Sequence, residues 1–353
     1  MPDPILPPVF DGHNDVLSRL AAAGPGAAAG LFRANPGGHI DVERARAGGF
    51  AGGLFAVWIP SSAQSGPDYA AMADETFDVP LPPEVPHAEA LSAALAQIAI
   101  LIRLEREGLL SICRTVEEIG AAMAAGRMAA VLHMEGAEPI DPDLAVLEVL
   151  HAAGLRSLGP VWSRPNRFGH GVPFRYPSSP DTGPGLTDLG RRLVKRCEEL
   201  SMVVDLSHLT EAGFWDVVRV TGGPLVATHS NAHALCETAR NLTDRQLDAI
   251  AERRGLVGVN LATAFLREDG RMISDVPLSR VIRHMDHLME RLGEDGVALG
   301  SDFDGAVVPD ALDGIDRLPA LRSAMLAHGY GEALVAKILN GNWLALLRRV
   351  WGA

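Results

Sequence analysis

Cysteine is scarce in this chain: Cys113, Cys197 and Cys236 are the three among 353 residues. Their odd number and wide spacing offer no zinc-knuckle, redox or disulfide framework, so they are expected to be small buried hydrophobes. Positive charge is also short. Lysine and arginine total 31 against 44 acidic residues, a formal net charge of -13. Such a chain is a poor partner for nucleic acid or an anionic membrane. No apolar run is expected to approach the roughly 20 residues that cross a bilayer. The opening MPDPILPPVFDG has no basic segment ahead of an apolar one, so no signal peptide is expected and the expected location is cytoplasmic. Internal repeats and low-complexity tracts are not evident.

What is present is ordinary for a globular enzyme: 47% hydrophobic and 21% charged residues, with no shift of composition along the chain. One domain over 1–353 is expected. Apolar, β-branched-rich runs near 8–14, 51–59, 128–134, 155–162, 202–207, 224–228, 255–261 and 297–301 read as strands. Their continuous hydrophobicity suits parallel strands covered by helices. Segments of helical period separate them, including AEALSAALAQIAILIRLERE, TDLGRRLVKRCEEL, TDRQLDAIAERR and LSRVIRHMDHLMERL. Thr187 and Thr243 are expected N-caps, each followed by aspartate in the first turn. A last helix over EALVAKILNGNWLALLRRVW is expected to break near Asn340–Gly341. Eight strands alternating with helices predict an α/β fold, a (β/α)8 TIM barrel, with a doubly wound open sheet as the alternative.

Two connections, 61–88 and 163–186, are long and rich in Pro, Gly and Ser. Both follow strands, so on a barrel both rise over the active face and are expected to wall the substrate site.

The chemistry sits at the ends of the apolar runs, in VFDGHNDV, AAVLHMEGAE, MVVDLSH, PLVATHS and VALGSDFDG. His13 and Asp15 lie two apart, so an extended strand presents both on one face. Glu135, His208, His229 and Asp302 each follow an apolar run, and a parallel barrel collects such ends on one rim. Imidazoles and carboxylates without thiolates suit Zn²⁺ and its borderline neighbours. Two ions sharing one carboxylate would make a metal-activated hydrolase.

DGHNDVL, EGAE, the series DLSH, ATHSNAHAL and ARN, GSDFDG and the C-terminal GNWL together resemble the membrane (renal) dipeptidase family of the amidohydrolase superfamily. The resemblance runs over nearly the whole chain. It implies two Zn²⁺ ions, one held by His13 and Asp15, the other by His208 and His229, with Glu135 bridging. It implies a metal-bridging hydroxide that attacks the amide, with Asp302 as the acid/base carboxylate; Asp304, beside it in sequence, is expected to make loop hydrogen bonds. Arg240 matches the arginine that holds the substrate's terminal carboxylate, a task suited to a two-pronged guanidinium. The substrates implied are free dipeptides, with D-residues tolerated at the C-terminal side, and the resemblance also implies a homodimer.

The chain departs from that pattern twice. Trp162, in GPVWSRPN, stands where the family has a histidine that polarises the scissile carbonyl. His170, in the nearby FGHG, is a candidate to return an imidazole to the substrate site. Glu138 replaces a further family histidine just after Glu135. These departures put substrate preference in question rather than reaction class. His133 is expected to fill a layer behind Glu135, and His233 to cap or pack the next helix. His284 and His287 are expected to be solvated, while His39, His87, His151 and His328 are expected in ordinary surface placements. The alternatives to a dipeptidase are an N-acyl amino acid hydrolase or lactonase on the same platform, or a non-catalytic metal-binding barrel.

Overall fold

The structure is a computed structural model and describes residues 8–35, 37–61 and 69–352. Residues 1–7 of the opening segment and 62–68 of the first long connection lie outside the described residues. All eight expected strand runs contain a parallel strand: β1 (Val9–Asn14), β2 (Phe50–Trp58), β3 (Met128–Glu135), β4 (Leu155–Gly159), β5 (Val203–Val204), β6 (Val226–Ala227), β7 (Leu256–Val259) and β8 (Val297–Leu299). They form a curled sheet in the order β1 to β5 and a second sheet of β6, β7 and β8. Three short strands were not anticipated. Leu110–Ile112 extends beside β3, and Phe77–Val79 pairs antiparallel with Phe174–Tyr176. The latter pair joins the two long connections to each other, so the loops expected to wall the site brace one another.

The continuous ladder expected of a closed barrel is interrupted at two seams. Single parallel bridges cross them, Asp205 to Val226 and Asn14 to Phe303. At each seam a buried aspartate takes the place of ladder partners. Asp205 Oδ1 accepts from the backbone N–H groups of Ser207 (3.0 Å) and Thr228 (2.8 Å). Asp11 accepts from the backbone and hydroxyl of Ser301, both at 2.7 Å. Backbone donors satisfied by a side chain have no need of a neighbouring carbonyl, which is why β5 and β6 are only two residues long.

Packing follows the pleat. On β3, Ala130, Leu132 and Met134 join the large apolar cluster under the helices, whereas Ala129 and Val131 face a second cluster. Strand period two therefore sends His133 and Glu135 to the same side as Val131. That second cluster gathers Phe10, Leu54, Val131, Val203, Val226, Leu256 and Ala298, from seven strands, around Trp343, Leu346 and Leu347. Trp343 Nε1 donates to Leu299 O at 2.8 Å. A Cβ at Gly12 would stand 2.3 Å from the Trp343 ring, so β1 needs glycine there for the indole to enter.

The helix ends agree with the sequence. Thr187 accepts from Gly190 N–H, and Thr243 forms a full capping box with Gln246. The last helix is broken by a π-turn at Lys337–Gly341, between Glu332–Ala336 and Asn342–Trp351. Cys113, Cys197 and Cys236 are buried free thiols, as expected. The expected helix His87–Arg106 is long and apolar enough to cross a membrane by length and composition, with a mean hydropathy of 1.3. It packs on β2 and on the helix Val16–Ala22. Its Gln97 Oε1 accepts from Trp58 N–H (3.2 Å) while Gln97 Nε2 donates to Trp58 O (2.6 Å). His284 corrects an expectation: it is 1% exposed rather than solvated. It accepts from Ala232 N–H at Nδ1 and faces Leu266 O through Nε2, and burial lowers its pKa to about 4.

Candidate metal centre

A cavity of about 180 Å³ is lined by residues at or just beyond the carboxyl ends of the strands, among them Asp15, Trp58, Glu135, Trp162, His208 and Asp302. The chain reaches these positions by leaving regular extended geometry. His208 and Asp302 both have positive φ, 67° and 62°, a left-handed backbone uncommon for residues other than glycine and frequent at functional sites. On β1 the register shifts between Asp11 and Asn14, an irregularity of the kind that re-aims side chains.

Glu135 is the hub. Its Oε1 lies 2.9 Å from His208 Nε2 and 3.4 Å from His229 Nε2. The same oxygen is 3.8 Å from His13 Nε2, which in turn is 3.3 Å from Asp15 Oδ2. Two groups that could each hold a metal ion therefore share Glu135: one with His13 and Asp15, the other with His208 and His229. All five residues foreseen as ligands come together.

The proton positions can be followed bond by bond. Thr228 Oγ1 donates to Asp205 Oδ2 at 2.6 Å, which uses its single hydrogen. The 2.8 Å contact between Thr228 Oγ1 and His229 Nδ1 must then be an N–H donated by the ring. This leaves the lone pair of His229 on Nε2, facing His208 Nε2 at 3.1 Å. Burial first, then Arg240 and His13, holds both His208 and His229 far below the ordinary imidazole pKa. Neutral imidazoles are what a metal requires, and His229 presents a bare nitrogen. Two such nitrogens at tetrahedral zinc stand roughly 3.3 Å apart, close to the observed separation.

The first group carries the opposite demand. His13 is fully buried, yet among the described residues neither ring nitrogen has a hydrogen-bond partner. Burial disfavours its charged form, but Glu135 and Asp15 outweigh this and lift its pKa to about 10. Glu135 itself is pushed well up by burial and by Asp15 and Asp302, against the pull of His13. Crowded carboxylates of this kind call for a cation. The donor set fits a divalent metal of the zinc type on chemistry and on orphaned atoms alike. A third grouping, His13, Asp205 and His229, lies behind these; Asp205 is already engaged by Thr228 and Ser207 and acts as a support.

The remaining foreseen residues fall as follows. Asp302 lines the cavity and accepts from Asn260 Nδ2 at 2.9 Å; burial, with Asp15, raises its pKa against His13. Trp162 lines the same wall, its ring 6.0 Å from that of His208. Arg240 is 3% exposed, bonded through Nη1 to Ser230 Oγ and through Nη2 to His229 O. Among the described residues it has no carboxylate partner. His170 is half-buried, its Nδ1 without a partner among the described residues, and it does not line the cavity. His133 lies behind Glu135 as expected, 2.8 Å from Ser157 Oγ.

His39 corrects the expectation of ordinary surface placement, for its ring Nδ1 accepts from the Asp304 backbone N–H and its backbone N–H donates to Asp304 Oδ1, both at 2.8 Å. Sequence reasoning missed Asp205, Thr228 and Asn260, and the walls Trp58, Phe174, Phe265, Met72 and Met272. An aspartate inside the apolar MVVDLSH was the available signal for Asp205.

A parallel α/β sheet that gathers imidazoles and crowded carboxylates at its strand ends defines a metal-dependent hydrolase. The chain belongs to the membrane dipeptidase family (peptidase family M19), whose model matches residues 6–352, and it is a metallo-dipeptidase. It is similar to a metallo peptidase from Rhodobacter sphaeroides solved with a phosphinate mimic of the dipeptide L-Ala-D-Ala. The identity is 51%, over 98% of this chain and 99% of that one, with a TM-score of 0.95. The solved metallo peptidase called dipeptidase AC is 52% identical over the same shares, with a TM-score of 0.95. A Klebsiella pneumoniae protein described as an uncharacterized protein in the pqqA 5' region is 48% identical over 257 residues, 72% of this chain and 95% of the relative.

Proposed function

We propose that this protein is a binuclear zinc dipeptidase on a (β/α)8 barrel, hydrolysing free dipeptides that include L-Xaa-D-Xaa. The observation that carries the reading is one carboxylate oxygen, Glu135 Oε1, within 4 Å of three imidazole nitrogens from two ligand groups. The barrel reading is supported by the cluster that draws seven strands around Trp343 and by the bridges across both seams. When bound, the metals would supply a water-derived nucleophile at neutral pH and polarise the scissile carbonyl.

The chain's own residues would do the rest. Asp302, held by Asn260 and kept at a raised pKa, is suited to take a proton from the attacking water and return it to the leaving amine. Arg240 is a buried guanidinium with no counter-ion among the described residues, and burying a lone charge is costly. A substrate's terminal carboxylate would supply that partner, which limits the substrate to very short peptides. The phosphinate mimic of L-Ala-D-Ala bound by the 51% identical Rhodobacter sphaeroides peptidase supports an L,D preference.

The test is a library of dipeptides with both stereochemistries at each position, run with zinc-loaded protein beside N-acyl amino acids and lactones. Metal analysis runs in parallel, with two zinc ions per chain as the expected result. Arg240→Ala is expected to lower kcat/KM about 100-fold for free dipeptides, the scale of a buried charge-assisted pair. It should leave C-terminally amidated analogues nearly unchanged. Equal losses on both would remove Arg240 from carboxylate recognition, and turnover confined to lactones would overturn the dipeptidase reading.

A further inference from the structure

Trp162 and Glu138 stand in the sequence as two separate departures from the family pattern, and a single side chain joins them. Arg164 is fully buried. Its Nε donates to Glu138 Oε1 at 2.9 Å, and Nη2 lies 2.9 Å from the same oxygen. Nη1 donates to Ser61 Oγ at 3.0 Å and Nη2 to Ile59 O at 2.9 Å. Its guanidinium carbon stands 5.3 Å from the centroid of the Trp162 ring. One cation thus links the segments that follow β2, β3 and β4.

At one end of this link Trp162 lines the cavity. Trp162 meets Trp58 edge-on at 5.2 Å and Phe174 at 5.7 Å. Phe174 stacks on Phe265 at 6.1 Å. At the other end, Glu138 lies under the turn after Glu135. Gly136 has φ of 92°, and a Cβ there would stand 2.3 Å from Glu138 Oε2, so the glycine and the carboxylate fit one another. A buried ion pair is seldom a net gain over apolar groups of the same volume. What this one adds is geometry: a planar cation against an indole and a fixed span between three loops.

We infer that the Glu138–Arg164 pair is a positioning unit that sets the Trp162 wall, and that the aromatic wall so fixed receives an apolar side chain of the substrate. The second half rests on the dipeptidase reading above. Trp58, Trp162, Phe174, Phe265, Met72 and Met272 supply the apolar surface, and the same cavity is also lined by Asp15, Asp302 and Asp304. Acidic side chains are disfavoured there, and dipeptides with bulky apolar side chains gain most from the wall.

The experiment uses Glu138→Leu/Arg164→Met, which removes both charges together, and Arg164→Lys, which keeps the charge but loses the planar fork. KM and kcat are measured on alanyl dipeptides and on leucyl and phenylalanyl ones. Acrylamide quenching of Trp162 is read as the difference from a matched Trp162→Phe protein, and zinc content is measured on each. The double variant is expected to keep its zinc and its kcat on alanyl dipeptides. Its KM for bulky apolar dipeptides should rise about tenfold, the scale set by loss of a few methylene contacts, and Trp162 should become more quenchable. Arg164→Lys should move both readouts the same way and less far.

Wild-type KM ratios together with wild-type quenching, in either folded variant, would overturn the positioning role. Increased quenching with unchanged KM ratios would overturn the substrate half alone. If the double variant fails to fold, Arg164→Lys decides by the same two readouts. A wild-type protein that turns over no dipeptide would defeat the dipeptidase reading instead, and the quenching comparison would still test the positioning.

Discussion

Replacing Thr228 by valine tests the proton relay behind the metal centre. The change keeps volume and removes one hydroxyl, which both donates to Asp205 Oδ2 at 2.6 Å and accepts from His229 Nδ1 at 2.8 Å. The first bond, to a buried carboxylate, is worth about 1.5–3 kcal/mol, and the orphaned ring N–H adds about 1 kcal/mol or more. A total near 3 kcal/mol in a chain of this length lowers Tm by about 4 °C. Loss of the acceptor also frees the tautomer that keeps the lone pair on Nε2. Removing such a partner weakens metal binding by roughly 10- to 100-fold. Competition against a chromophoric zinc chelator measures the affinity, and melting with and without zinc separates the two effects. Thr228→Ser, which restores the hydroxyl, should recover most of both. Unchanged zinc affinity in Thr228→Val would refute the relay.

Asp302→Asn should reduce kcat by about 10²- to 10⁴-fold with zinc content intact; a rate within tenfold of wild type would remove the acid/base role. His284 gives a pH signature: its pKa falls from 6.5 unfolded to about 4 folded, chiefly through burial. A depressed folded value means that stability is fully present above pH 6.5 and is lost as pH falls from 6.5 through 4. The whole loss is about 3 kcal/mol. His284→Gln should flatten the denaturation midpoint across that window, and an unaltered slope would show that His284 is not the titrating group.

Much of the centre was legible before the fold was known. The ligands follow apolar runs because a parallel strand is buried along its length and surfaces its chemistry only at its end. Hence His208, His229, Glu135 and Asp302 could each be read from a run and its last polar residue. Two errors had a physical cause. The placements of His284 and His39 were misjudged because a side chain's exposure depends on which distant segments pack against it. The seams were invisible for a related reason: the 2.7 Å bond from Ser301 N–H to Asp11 joins residues 290 apart in the chain.

Local pattern by itself determined the strand runs, their parallel character, the helix caps and the donor types gathered at the rim. These depend on backbone periodicity and on neighbours a few residues away. Tertiary structure alone decided which nitrogen of His229 is bare, that Asp205 and Asp11 replace ladder partners, and that Arg164 ties Glu138 to Trp162. Each of these turns on directional contacts of about 3 Å between distant segments, and such contacts are set only once the sheets have curled.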